Sequence, residues 1–197
     1  MNSHRLLCVF CGSRPGANPE YAESARQIGR SLVSHGLGLV YGGGRVGLMG
    51  VVADSVLEAG GHVLGVIPKA MAGREIAHHG VSELVVVPNM HARKALMADR
   101  ACGFLMLPGG VGTFEEFFEI LTWSVLGIHR KPIGILSTAG YYQPLLSLIQ
   151  HSASEGFLDV AHLARLTVSD DPDEVVRHLA ACTPLPAPHG GLTLEES

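Results

Sequence analysis

The sequence predicts an α/β fold: an open, doubly wound, mostly parallel sheet with helices on both faces. Short apolar runs rich in Val, Ile and Leu recur along the chain, separated by stretches with helical periodicity, the pattern of parallel strands joined by crossover helices. Such crossovers are right-handed, so they build a twisted sheet that binds ligands outside the carboxyl ends of its strands. Two glycine-rich segments, 42–50 and 109–112, each follow an apolar run and are expected to converge at that edge.

The first strand is expected at 5–11. Asn18 then supplies an N-cap, Pro19 the first helical position and Gly36 a C-terminal stop, which sets a helix over 19–35. Strands follow near 37–41, 62–67, 83–87, 103–107, 132–136 and 164–168, and helices near 47–59, 90–101, 114–127, 141–155 and 172–181. In the helix 114–127, Phe114, Phe117, Phe118, Leu121 and Val125 recur at three- and four-residue steps. They mark a buried stripe, belonging to the core or to a dimer interface rather than to a cofactor box. Residues 1–182 read as one domain with no internal repeat or linker, and 183–197, with three prolines, two glycines and a terminal Glu-Glu, as a frayed tail.

A chain of 197 residues fits one domain, and 47% hydrophobic residues with 16% charged suffice for a sizeable core. Fourteen Lys and Arg against eighteen Asp and Glu leave a formal charge of -4, so no basic excess draws the molecule onto nucleic acid or acidic lipid. No apolar run reaches membrane-helix length and Leu6 to Phe10 is too short for a signal-peptide core, so the chain reads as a soluble cytoplasmic protein with neither nucleic-acid nor membrane partners. Cys8 and Cys11 have CxxC spacing, yet on a strand they point to opposite faces and no second ligand pair lies at close spacing; they read as buried reduced thiols. The eleven histidines show no HExxH spacing, so no metal is expected, and His78-His79 reads as part of a solvated loop.

Three segments could carry chemistry. In Tyr41-Gly42-Gly43-Gly44-Arg45-Val46-Gly47, three glycines satisfy GxGxxG, where positive φ and a helix N-terminus favour a phosphate. The motif does not follow the first strand, however, and 61–69 holds no acid for a ribose, which argues against NAD. A mononucleotide cradle and a merely tight turn both stay open. No Gly-Lys-Ser/Thr occurs, which removes the Walker A loop.

The second segment, Pro108-Gly109-Gly110-Val111-Gly112-Thr113-Phe114-Glu115-Glu116, offers backbone N–H groups and a hydroxyl to an anion. Thr113-x-x-Glu116 is also the spacing of a capping box, a purely structural role worth about 1 kcal/mol. Against that reading, a carboxylate 4 Å from a phosphate charge is repelled by about 4 kcal/mol at an effective dielectric of 20. A reaction that develops positive charge between the two, as glycosidic cleavage does at the sugar carbon, supplies a reason for the placement. The third segment, Met90-His91-Ala92-Arg93-Lys94, sets two cations near a helix N-terminus, against its dipole; an anionic ligand or carboxylate partner would favour them, a solvated basic patch being the structural alternative.

Together with VFCGSRPG at 9–16, the segments YGGGRVGLMG, MHARK and PGGVGTFEE resemble the Lonely-guy family of cytokinin-activating phosphoribohydrolases, over about residues 5–182 and with the family's 23-residue step from Arg93 to Glu116. The resemblance implies a Rossmann-like fold, a homodimer, no cofactor, and cleavage of N6-substituted adenosine 5'-monophosphates to free base and ribose 5-phosphate. It implies Arg93 and Glu116 as catalytic residues, with Lys94 beside the arginine. Gly110, Val111, Gly112, Thr113, Phe114, Glu115 and Glu116, together with Glu75 and Thr122, match substrate-binding positions; Val111 and Phe114 stand where tyrosine and leucine are frequent.

The expected chemistry is hydrolysis of the N-glycosidic bond of a nucleoside 5'-monophosphate, with the N–H groups of 110–113 on the phosphate and Glu116 facing C1'. A nucleotide-binding module without turnover is the competing class. Many members of the family carry a lysine decarboxylase label, but pyridoxal phosphate would need a lysine, and only Lys69, Lys94 and Lys131 exist.

Overall fold

The computed structural model describes residues 5–73 and 76–182; Glu75 and the expected tail 183–197 lie outside them. In chain order the elements are β1 (Leu6–Phe10), α1 (Glu20–Ser34), β2 (Gly38–Tyr41), α2 (Gly47–Glu58), β3 (Val63–Pro68), α3 (Lys69–Ala72), β4 (Glu83–Val87), α4 (Met90–Arg100) and β5 (Ala101–Met106). They continue with α5 (Val111–Val125), β6 (Ile133–Leu136), α6 (Gln143–Ser154), α7 (Val160–Leu163), β7 (Leu166–Ser169) and α8 (Pro172–Ala181). The seven strands form one sheet in the order β4-β3-β2-β1-β5-β6-β7, and every pairing is parallel. The expected Rossmann-like, doubly wound fold is therefore present. Its winding reverses between β1 and β5, and the loops leaving those two strands flank the crevice such a reversal creates.

Helix α1 shows how local sequence sets an element. Asn18 Oδ1 accepts the Glu20 N–H at 3.0 Å, and at the far end Gly36, at φ 71°, lets the Leu37 N–H reach back to the Leu32 carbonyl at 2.8 Å. Between these ends Ile28 and Leu32 are fully buried. They join Leu7, Leu39, Val52, Val56, Val175 and Val176 in one core layer, which α1, α2 and α8 close. The opposite face packs Cys8, Val40, Leu64, Phe104, Met97, Phe117 and Ile149 beneath α4, α5 and α6. Cys8 and Cys11 fall in different layers, both buried and free, as strand geometry requires of residues three apart. Burial in apolar surroundings pushes both thiols well above their ordinary range.

Three expectations need correction. Helix α5 starts at Val111 rather than at 114, so Thr113 is its third residue and Gly110 its N-cap. The capping-box reading of Thr113 and Glu116 falls with that. The stripe on α5 is also displaced: Thr113, Glu116, Phe117, Ile120, Leu121 and Ser124 are buried, whereas Phe118 is exposed and Val125 half-buried. Two apolar faces adjoin on this helix, and steps of three and four cannot tell them apart. Lastly, the loop at 78–79 is solvated only in part: His79 is exposed, but His78 is half-buried, its Nε2 bonding Asp54 Oδ1 at 2.9 Å and its Nδ1 accepting the Gly80 N–H at 3.2 Å.

The first glycine loop is a structural junction. The Arg45 N–H bonds the Ile76 carbonyl at 2.8 Å and the His78 N–H bonds the Gly43 carbonyl at 2.9 Å, tying the loop to the segment after α3. Gly47, at φ 60°, opens α2 against the loop after β1: a Cβ there would lie 2.3 Å from the Ser13 carbonyl carbon and 2.4 Å from the Arg14 nitrogen. Gly47→Ala is therefore expected to cost about 2 kcal/mol, from the left-handed conformation and the backbone clash together, and to lower the thermal midpoint by about 4–8 °C. An unchanged melting curve would refute this account of the junction.

Candidate active site

Asn89 caps α4, its Oδ1 accepting the Ala92 N–H at 2.9 Å, and so fixes Arg93 in the first helical turn. From the neighbouring α5, Glu116 reaches toward it, and Arg93 Nη2 donates to Glu116 Oε1 at 2.9 Å. Both residues are buried, 8% and 9% exposed. Gly42 makes room for the pair, since a Cβ there would stand 2.3 Å from Arg93 Nη2. A side chain at this position would have to displace the guanidinium from where it meets Glu116. Among the described residues the buried Arg93 Nε has no hydrogen-bond partner. Buried donors in folded proteins are nearly always paired, so this N–H is an exception beside the crevice that Arg93 lines.

Opposing forces act on Glu116. Burial raises its pKa, Arg93 pulls it back by charge and hydrogen bond, and Glu115 adds a further upward push; the net direction is up. A carboxylate held against desolvation by one arginine fits electrostatic work on a developing cation.

The crevice encloses about 300 Å³ and runs from Arg93, Glu116 and the α5 N-terminus to Met49, Ile67, Met71, Ile76 and Met90. Its anion end is built from backbone. The first intrahelical bond of α5 runs from the Phe114 N–H to the Gly110 carbonyl at 3.0 Å, so the N–H groups of Val111, Gly112 and Thr113 precede the helical ladder. Nothing stands within 4 Å of where a Cβ of Gly110 or Gly112 would be, leaving the backbone open to close approach. Thr113 is buried with its hydroxyl against Gly109, where a Cβ would come within 2.2 Å of Oγ1.

Of the residues singled out by sequence, Arg93, Gly110, Val111, Gly112, Thr113, Glu115 and Glu116 line this crevice. Three do not. Lys94 Nζ is spent on Glu115 and, at 2.8 Å, on Glu119; burial acts to lower its pKa, but these two bonds outweigh it and hold the ammonium above its ordinary value. It rivets α4 to α5, and both basic residues have carboxylate partners rather than forming a solvated patch. Phe114 packs edge-on to Tyr142, ring centroids 6.3 Å apart. Thr122 is exposed and lies with Phe118, Leu126 and Leu148 along an outward apolar groove. Glu75 falls outside the described residues.

Sequence reasoning missed Cys11, Ser13 and the apolar wall of Met49, Ile67, Met71, Ile76 and Met90. Ile67 near the end of β3 and Cys11 just past β1 could have been found by reading off each strand's carboxyl end. The methionines carry no such signal. Among the described residues, neither Lys94 nor Lys131, which donates to the Ala98 carbonyl at 2.6 Å, lines the crevice, nor does the exposed Lys69.

Comparison with known proteins identifies the family of the chain. The family model described as possible lysine decarboxylase matches residues 49–179. The cytokinin riboside 5'-monophosphate phosphoribohydrolase of Rhodococcoides fascians is 53% identical over 168 residues, 85% of either chain. The cytokinin riboside 5'-monophosphate phosphoribohydrolase LOG7 of Arabidopsis thaliana is 49% identical over 182 residues, 91% of this chain and 83% of that one. Among solved structures, the molybdenum cofactor carrier protein of Chlamydomonas reinhardtii superposes with a TM-score of 0.68 at 22% identity, covering 89% of this chain and 96% of that one, a likeness of fold alone. The matches to sequence and the motifs at 93–94 and 108–116 lead to one assignment: the chain belongs to the Lonely-guy family, the possible lysine decarboxylase family of the matching model.

Proposed function

We propose that this chain hydrolyses the N-glycosidic bond of adenosine 5'-monophosphates substituted at N6, releasing free base and ribose 5-phosphate. The observation that carries the reading is the buried Arg93–Glu116 pair, 2.9 Å apart, set beside the open N-terminus of α5. The 5'-phosphate binds the N–H groups of Val111, Gly112 and Thr113, where the helix dipole adds about half a positive charge. Anchoring the phosphate fixes the sugar so that C1' faces Glu116. As the bond to the base lengthens, positive charge grows on the sugar. The carboxylate stabilises it by about 4 kcal/mol at 4 Å and an effective dielectric of 20, and orients the attacking water. Arg93 holds that carboxylate in place and turns its free Nε toward the substrate. The methionine and isoleucine wall receives the base and its N6 substituent, and thioether side chains adapt readily to such shapes.

We further infer a homodimer. Phe118, Leu126, Leu148 and Phe157 are 39%, 57%, 61% and 86% exposed and stand together over α5 and α6. An apolar cluster of that kind is the usual mark of a partner surface, and a second copy of the chain is its occupant. We further infer a cytosolic protein, a compartment that suits four free cysteines; no described helix is long and apolar enough to cross a membrane.

Chromatography of free base after incubation with isopentenyladenosine monophosphate, AMP and the matching riboside tests the reading. The substituted monophosphate should be cleaved and the riboside at least 100-fold less efficiently, because phosphate binding supplies the alignment; equal rates would remove the anchor. Glu116→Gln keeps an acceptor for Arg93 but not the charge, so turnover should fall roughly 10³-fold while nucleotide binding persists. A protein that binds nucleotide but shows no turnover to lose would be a binding module.

In the pH profile of kcat/KM, activity should fall as pH drops through the Glu116 pKa, which lies above the ordinary glutamate value of about 4.3. An acid limb below that value would contradict the burial argument. Phe157→Glu should convert the dimer to a species of 20.8 kDa on sizing chromatography; a parent chain already running at that mass would dismiss the interface.

A further inference from the structure

Beyond the crevice, on the far side of the α5 N-terminus, lies a second cavity of about 380 Å³. Ser13 and Gly110 line both, so the two compartments meet where the helix presents its free N–H groups. The second cavity is bounded by the two loops that leave β1 and β5 at the reversal of winding. These loops touch: the Gly12 N–H donates to the Pro108 carbonyl at 3.0 Å. They are also braced from outside. Tyr141 Oη donates to the Gly109 carbonyl at 2.6 Å, and its ring meets Tyr21 edge-on at 5.4 Å. Tyr21 in turn packs on Gly16, where a Cβ would lie 2.7 Å from its ring. Gly47 presses on the backbone of Ser13 and Arg14 from a third side. The loop 12–16 is thus held rigidly against the phosphate-binding helix, although its own side chains at 13 and 14 are exposed.

Charge makes this arrangement informative. Around the crevice, Arg93 is paired with Glu116 and Lys94 with Glu115 and Glu119, two cations against three carboxylates. That set is net negative, and half a charge from the helix cannot by itself welcome a phosphate dianion. Arg14 lines the adjoining cavity, and among the described residues no carboxylate pairs with it. None of the cavity's lining residues is acidic. We propose that Arg14, with the Ser13 hydroxyl, is the second half of the phosphate clamp, gripping the 5'-phosphate from the β1 side while α5 grips it from the other. A guanidinium suits the task because it bonds two phosphate oxygens at once and stays charged. The residue would thereby set the preference for monophosphate over riboside. This inference rests on the hydrolase reading for its substrate but not for its anion.

The test uses the full chain with Arg14→Gln, Arg14→Lys and Ser13→Ala, titrating ribose 5-phosphate by calorimetry and measuring kcat/KM on monophosphate and riboside. Arg14→Gln should weaken ribose 5-phosphate binding, and lower the ratio of monophosphate to riboside efficiency, by roughly 10- to 100-fold, the range a charge-assisted hydrogen bond supplies. Arg14→Lys should recover part of both, and the melting midpoint should match the parent, since the arginine carries no packing. Ser13→Ala should give a smaller loss in the same direction. Ribose 5-phosphate bound equally well by Arg14→Gln, or an equal fall on both substrates, overturns the clamp while leaving the hydrolase standing. A parent chain that releases no base yet binds ribose 5-phosphate in an Arg14-dependent way upholds the clamp and ends the hydrolase reading.

Discussion

The hydrogen-bonded ion pair between Arg93 and Glu116 is the constraint around which the carboxyl edge of the sheet is arranged. A buried pair gains little net stability over apolar packing, but removing one partner strands the other charge and costs about 3–5 kcal/mol. Neighbouring features can be understood as consequences. Gly42 lacks a side chain because the guanidinium occupies the space. Asn89 caps α4 so that Arg93 starts from a fixed turn. Lys94 and the carboxylates of Glu115 and Glu119 lock α4 to α5 one face away, so the distance between Arg93 and Glu116 does not depend on that pair alone.

The two glycine-rich segments divide the work in a way their composition does not reveal. The segment at 109–112 exposes backbone, with open space over Gly110 and Gly112. In the segment at 42–47, by contrast, glycines are contact points between pieces of protein: Gly42 meets Arg93, Gly43 lies against Val66 and Ile67, and Gly47 meets Ser13 and Arg14. The GxGxxG match therefore owes its glycines to protein packing rather than to a dinucleotide. Gly42 and Gly44 do border the crevice, so the loop shapes the site as a wall while its glycines serve the scaffold.

Most of the fold was legible because strand runs and helix stops are local signals. Asn18 and Gly36 bound α1, and β4 and α8 fall where periodicity placed them. What failed depended on tertiary context. Thr113 followed by Glu116 has the spacing of a cap, and only the helix starting at Val111 shows that the glutamate is free for other duty. Phe118 and Thr122 share helical spacing with buried neighbours, yet face outward because α5 has two apolar sides. Ser13 and Arg14 carry no local signal, since their meaning comes from the loop at 108–110, nearly a hundred residues away in sequence.

The electrostatics of the site explain why a phosphate handle and a carboxylate can share one small crevice. Glu116 is pushed toward protonation by burial and by Glu115, and a bound phosphate would push it further. An acid that protonates on substrate binding would lose the charge its task requires. Arg93 opposes this directly, across 2.9 Å. It cannot also neutralise the phosphate without slackening its hold on the glutamate, and Lys94 is already shared between two other carboxylates. The phosphate therefore needs a source of positive charge outside the ion-paired set. The α5 dipole supplies part of it, and a cation approaching from the β1 side supplies the rest without competing for Glu116. In the proposed clamp, separating the anchor's counter-charge from the Arg93–Glu116 pair leaves Arg93 free to favour the ionised carboxylate.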